Sequence, residues 1–150
     1  MRSIASAALI FLAACLTAKA QSWGDSIQGI YLTVDGGAQV SIAKTGDGTY
    51  VGKIVWLKED KARLDVNNPD QARRGDRVQG LVILRGFAAD EQSKRWEGGT
   101  IYDPKNGKTY DGYIWRDPKD PRILQLKCYI LGIKWLGRAT QRTVEKRLRD

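Results

Sequence analysis

The sequence predicts an all-β, single-domain protein of about eight short antiparallel strands, closed as a barrel or stacked as a sandwich. Three observations carry that reading. Apolar residues recur at every second position over short runs, the period of a strand with one buried face. Glycine, proline and Asn-Gly signals stand between the runs, close enough together for tight hairpins. Past the N-terminal apolar segment, no stretch sustains a helical period over several turns. The chain has 150 residues, enough to bury one core without disulfide or metal staples.

In chain order, Gly29 to Val34 alternates, with Ile30, Leu32 and Val34 on one face, and Asp35-Gly36-Gly37 turns the chain. Val40 and Ile42 lead a second run, and Gly46-Asp47-Gly48 is a hairpin signal before the β-branched and aromatic run Tyr50 to Leu57. Leu81 to Leu84 is continuously apolar and ends in Arg85-Gly86-Phe87. Lys94 to Ile101 carries Trp96 and a Gly98-Gly99 pair, the mark of a bulge or tight bend. Proline turns at Asp103-Pro104-Lys105-Asn106-Gly107 and Asp117-Pro118-Lys119-Asp120-Pro121 flank the run Lys108 to Trp115. In Arg122 to Ile130 the residues Leu124, Leu126, Cys128 and Ile130 share one parity, which puts Cys128 on the buried face as an inert thiol. Residues 139–150 fit either a closing strand or a short basic helix with Val144 and Leu148 on one side. Residues 58–79 are polar and charged, too long for a simple hairpin loop, and read as a functional lid or a flexible insert.

Residues 1–20 have the layout of a secretory signal peptide: Arg2, the apolar run Ile4 to Leu16, then Ala18-Lys19-Ala20 as an Ala-x-Ala site with cleavage between Ala20 and Gln21. The run is too short for a transmembrane segment. Leu12-Ala13-Ala14-Cys15 offers a competing route, lipidation at Cys15 and anchoring in the envelope. Either route leaves residues 21–150 as the working domain, periplasmic or secreted.

Composition narrows the chemistry. The chain has no histidine and two cysteines, so Ser-His-Asp and Cys-His nucleophiles, histidine-ligated metals and four-cysteine clusters are all excluded. No cofactor or metal is expected. Loss of residues 1–20 removes Arg2 and Lys19 and leaves 23 basic against 17 acidic residues, net +6. That charge suits an anionic envelope polymer, or simply a solvated basic surface. Export argues against nucleic acid as a partner.

Several groups are candidates for function. Arg85, at the end of an apolar run, is either the polar anchor of an apolar pocket or the strand's exit into solvent. Trp56, Trp96 and Tyr110 lie in strands, where aromatics line a cavity or fill a core. Asn68-Pro69-Asp70 with Arg73, Arg74 and Arg77 reads as an arginine clamp for a carboxylate or phosphate, or as a loop pinned by its own Asn and Asp side chains. Asp103 to Gly107 is punctuation, since one turn holds too few oxygens for calcium. Glu97 with Asp103 or Asp111 is the one carboxylate pairing that would serve a hydrolase.

Several stretches taken together are similar to a known family: Gly52 to Leu57, Asn68-Pro69-Asp70, Gly80-Leu81, Leu84 to Phe87, the block Trp96 to Tyr110, Tyr129-Ile130 and Gly137-Arg138. This resembles the secreted bacterial proteins catalogued as domain of unknown function 2147. The resemblance implies a calycin-like, lipocalin-like β-barrel that can enclose a ligand. The expected function is therefore binding, not catalysis: a small apolar or amphipathic ligand held by Trp56, Arg85, Trp96 and Tyr110. One alternative is a barrel with a filled interior that works through its basic surface, against anionic envelope polymers or a protein partner, since eight strands enclose just enough space for either. A carboxylate-dependent hydrolase is a second alternative.

Overall fold

Hairpin chemistry and strand alternation meet in the computed structural model, which describes residues 22–129 and the backbone of residues 142–147. Eight strands follow one another: β1 (Gly29–Thr33), β2 (Ala38–Lys44), β3 (Tyr50–Leu57), β4 (Val82–Asp90), β5 (Arg95–Asp103), β6 (Lys108–Arg116), β7 (Leu124–Tyr129) and β8 (Arg142–Arg147). Each pairs antiparallel with the next, and β8 pairs back with β1, so the sheet closes into a barrel instead of a sandwich. Closure removes the free edges that an open sheet must protect. Within the tail, Arg142–Arg147 is the closing strand rather than a helix. Residues 1–21, and with them Cys15, Ala20 and Gln21, lie outside the described residues. No helix among the described residues is long and apolar enough to cross a membrane.

Several of the turns use one device, an aspartate whose carboxylate accepts a backbone N–H two residues on, as Asp90 does from Gln92 at 3.0 Å in the β4–β5 turn. Asp35 accepts from Gly37 at 3.0 Å, Asp47 from Thr49 at 3.0 Å, Asp103 from Lys105 at 3.0 Å and Asp117 from Lys119 at 2.7 Å. The expected bulge in β5 is present: the β5–β6 register shifts between Trp96 and Gly99, and Gly98 has a φ of +73°. β4 differs from expectation. It runs on through Arg85 to Asp90, so Arg85 is inside a strand and not at its end.

The N-terminal end of the domain holds an element with no period of its own, the 3-10 turn Trp23–Ile27. One contact from β1 and several from farther along the chain hold it in place. Tyr31 Oη donates to the Ile27 carbonyl at 2.9 Å, and Trp96 Nε1 donates to the Gly24 carbonyl at 3.0 Å. Tyr50 Oη donates to Asp25 at 2.7 Å, and the rings of Trp23 and Trp96 stack at 4.4 Å. Tyr31, Tyr50, Phe87 and Trp96 are all buried here, so this end of the barrel is packed solid. The cost is a correction in β1. Tyr31 faces the core, whereas Ile30 and Leu32 are half-buried on the opposite face and Val34 is 57% exposed.

A candidate ligand cavity

Away from the 3-10 turn the inward positions carry Val, Ile and Leu instead of aromatics, and these are too short to meet across the barrel. Val40, Ile42, Ile54, Leu84, Ile101, Ile114, Leu124 and Leu126 wall a cavity of about 670 Å³. The parity read from the sequence put Val40, Ile42, Leu124 and Leu126 on shared faces, and all four are core residues. Cys128, next on that face, is a half-buried thiol packed against the core.

The rim is polar. It combines the β1–β2 turn at Thr33 to Asp35, the β5–β6 turn from Tyr102 to Lys105, and Lys58, Glu59 and Arg63 from the long connection after β3. Asp35 and Lys105 tie the two turns together, Nζ to Oδ2 at 3.5 Å. The hydroxyl of Thr33 donates to Asp35 at 2.6 Å, and with the Gly37 N–H and nearby Lys105 it holds that carboxyl down at about 2. Arg63 is half-buried on the rim and makes no ion pair among the described residues.

The long connection is folded, not loose. Val78 N–H donates to the Arg63 carbonyl and Asp65 N–H to the Asp76 carbonyl, each at 2.9 Å, with Leu64 bridged to Arg77. This small hairpin is pinned by its own side chains: Asn68 Oδ1 accepts from Asp70 N–H at 2.9 Å, and Asp70 caps Ala72 N–H at 3.0 Å. Asp65 is fully buried and bonded to Asn68 Nδ2 at 2.7 Å and to the Tyr102 hydroxyl. Burial, then the bond to Asp65, pushes the Tyr102 phenol up to about 12.

The residues singled out from the sequence fall elsewhere. None of Trp56, Arg85, Trp96 and Tyr110 lines the cavity. Trp96 is consumed in the packed end, under Trp23. A register shift between β2 and β3 sets Trp56 opposite Gln39, half-buried, while Ile54 and Leu57 take the inward places. Tyr110 accepts a hydrogen bond from Asn106 Nδ2 at 3.0 Å within its own turn. Arg85 is exposed and belongs to a separate hollow with Arg73 and Arg77, while Arg74 donates from Nε to the Asn68 carbonyl at 2.9 Å. Glu97 faces Arg95 at 3.8 Å, Asp103 serves its own turn at the rim, and Asp111 is exposed opposite Thr100; neither Glu97 nor Asp111 lines the cavity. Among the described residues, no group of three or more acidic or cysteine side chains is placed to hold a metal ion.

Sequence reasoning missed Arg63, Asp65 and Tyr102. In Arg63-Leu64-Asp65 the polar residues face the barrel and Leu64 faces solvent at 43% exposure, the reverse of the usual alternation.

The family described as "Uncharacterized protein conserved in bacteria (DUF2147)" matches residues 29–143. No curated protein matches the chain. A solved structure, protein HP1028 from Helicobacter pylori, described as belonging to the lipocalin family, is similar with a TM-score of 0.66 at 24% identity. The likeness covers 82% of this chain and 83% of that chain, and it is a likeness of fold.

Proposed function

The chain belongs to the bacterial family of uncharacterised DUF2147 proteins, and from that premise we propose that its barrel binds a small, largely apolar ligand with an acidic head. The observation that carries this reading is the apolar cavity of about 670 Å³ with Arg63 on its rim. A volume of that order fits a drug-sized ligand or a single acyl chain. The walls would desolvate the ligand body. A half-buried guanidinium with no ion pair among the described residues is costly to keep, and an acidic head would supply the partner. Binding, not turnover, is the role assigned, and the filled-barrel reading fits the Trp96 end alone. The N-terminal pattern of residues 1–20 supports export, which would place the ligand in the periplasm or outside the cell.

The test is native mass spectrometry of the chain purified from a bacterial envelope, with a fluorescent fatty-acid probe titrated into the delipidated protein. A stoichiometric adduct, or saturable probe binding lost in Ile114→Trp and weakened about tenfold in Arg63→Gln, is the expected result. No adduct together with probe binding indifferent to Ile114→Trp overturns the proposal. Surface binding to anionic polymer would instead collapse with added salt.

A further inference from the structure

A second hollow, of about 370 Å³, shares no lining residue with the cavity. Arg73, Arg77 and Arg85 line it around a single carboxylate, Asp76. Three separate backbone devices bring these arginines together. Arg73 ends the 3-10 turn Gln71–Arg73, which Asp70 caps. Arg77 is fixed by its bridge to Leu64 and by the hydrogen bonds of Asp76 and Val78 on either side. Arg85 sits in a β4 bulge: between Tyr50↔Phe87 and Gly52↔Leu84 the strand carries one residue more than β3, and Gly86 has a φ of +70°. Bulges of this kind re-aim a side chain out of the strand's alternation.

The charges do not balance. Asp76 is already engaged by Arg73, Nε to Oδ2 at 3.1 Å, while Arg77 and Arg85 make no ion pair among the described residues. Like charges gathered at one hollow repel, and a bound anion removes that repulsion. Guanidinium forks match oxyanions through paired N–H donors, and the forks of Arg77 and Arg85, committed to no carboxylate among the described residues, suit such an anion beside the Arg73–Asp76 pair. We propose that the Arg73–Arg77–Arg85 hollow is a phosphate-binding site, taking the anion free or as the head group of an envelope lipid.

The experiment uses the intact chain at low salt. Inorganic phosphate is titrated by calorimetry, and vesicles of phosphatidylcholine with or without phosphatidylglycerol are co-sedimented. Arg77→Gln and Arg85→Gln are the variants, with Lys119→Gln as a control at a distant turn. The proposal expects saturable phosphate binding that weakens about tenfold in each arginine variant and is unchanged in Lys119→Gln. Vesicle binding that needs phosphatidylglycerol and is lost in the same variants, with no uptake of free phosphate, assigns the lipid head group as the source. Absence of both, or binding indifferent to Arg77→Gln and Arg85→Gln, overturns it. Ile114→Trp, which blocks the cavity, leaves this binding unchanged, so the two proposals fail separately.

Discussion

The phenol of Tyr102 on β5 donates to the carboxylate of Asp65, with its Oη 2.7 and 2.8 Å from the two oxygens, and so fastens the hairpin of residues 63–78 to the barrel wall. Asp65 is fully buried, and a buried carboxylate persists where donors replace its water. Those donors are Tyr102 and Asn68. Because Arg63 lies two residues before Asp65, the same bond sets where that guanidinium stands on the rim.

Tyr102→Phe removes the hydroxyl and leaves the carboxylate with a missing donor. The expected cost is about 1–3 kcal/mol, read as a lower urea midpoint with the slope unchanged. A midpoint equal to that of the wild type would show that the bond does not hold the hairpin.

The same phenol bears on alkaline stability. Tyr102 is raised to about 12 in the fold, first by burial and then by Asp65, from an ordinary value of 10.0. A raised pKa means the fold favours the protonated phenol, so this stabilisation is complete below pH 10 and drains away between about 10 and 12. Tyr129, raised to about 12 by burial and by its bond with Tyr113, behaves alike. Melting temperature followed from pH 8 to 12 therefore falls in the wild type, and Tyr102→Phe flattens part of that fall and Tyr129→Phe another part.

Interior glycines make room for the side chains that divide the barrel. A Cβ on Gly99 would lie 2.4 Å from the Phe87 ring, and one on Gly112 would lie 2.5 Å from both Ile101 Cδ1 and the Lys127 carbonyl oxygen. Gly99→Ala and Gly112→Ala are expected to destabilise by about 1–3 kcal/mol, the usual range for overpacking. Gly46→Ala, with open space around its Cβ, is expected to be neutral or slightly stabilising. Equal melting temperatures across the three variants would refute the steric account.

What was legible in the sequence is what short-range chemistry dictates. Tyr50 to Leu57 is a strand with those ends, and the Gly98-Gly99 bulge stands where the glycine pair put it. The face of β1 was not legible, because Ile30 and Leu32 compete with Tyr31 and period alone does not choose between apolar parities. Tyr31 goes inward because Ile27 offers its hydroxyl a carbonyl. The 3-10 turn escaped for a related reason: it is held by Tyr50 and Trp96, far along the chain. At the site, strand parity placed Val40, Ile42, Leu124 and Leu126 of the apolar wall, but not Ile54, Leu84, Ile101 and Ile114. Nor did it place Arg63, since that residue enters the rim from a hairpin whose polar residues point inward.

The 3-10 turn is also where acid should act first. Asp25 accepts from Lys44 Nζ at 2.8 Å and from the Tyr50 hydroxyl at 2.7 Å, and chiefly through these bonds its carboxyl is lowered from 3.8 to about 2. A depressed carboxyl pKa adds stability that is fully present above pH 3.8 and is lost as the pH falls through about 2. Protonation weakens both bonds, loosening the turn that stacks Trp23 on Trp96. Tryptophan emission followed from pH 5 to 2 should therefore shift, in the wild type, before the strands lose their far-ultraviolet signal. Asp25→Asn should show the loosened emission already at neutral pH and lose most of its pH dependence. If emission and strand signal instead change together in both proteins, Asp25 is not what holds this end of the barrel closed.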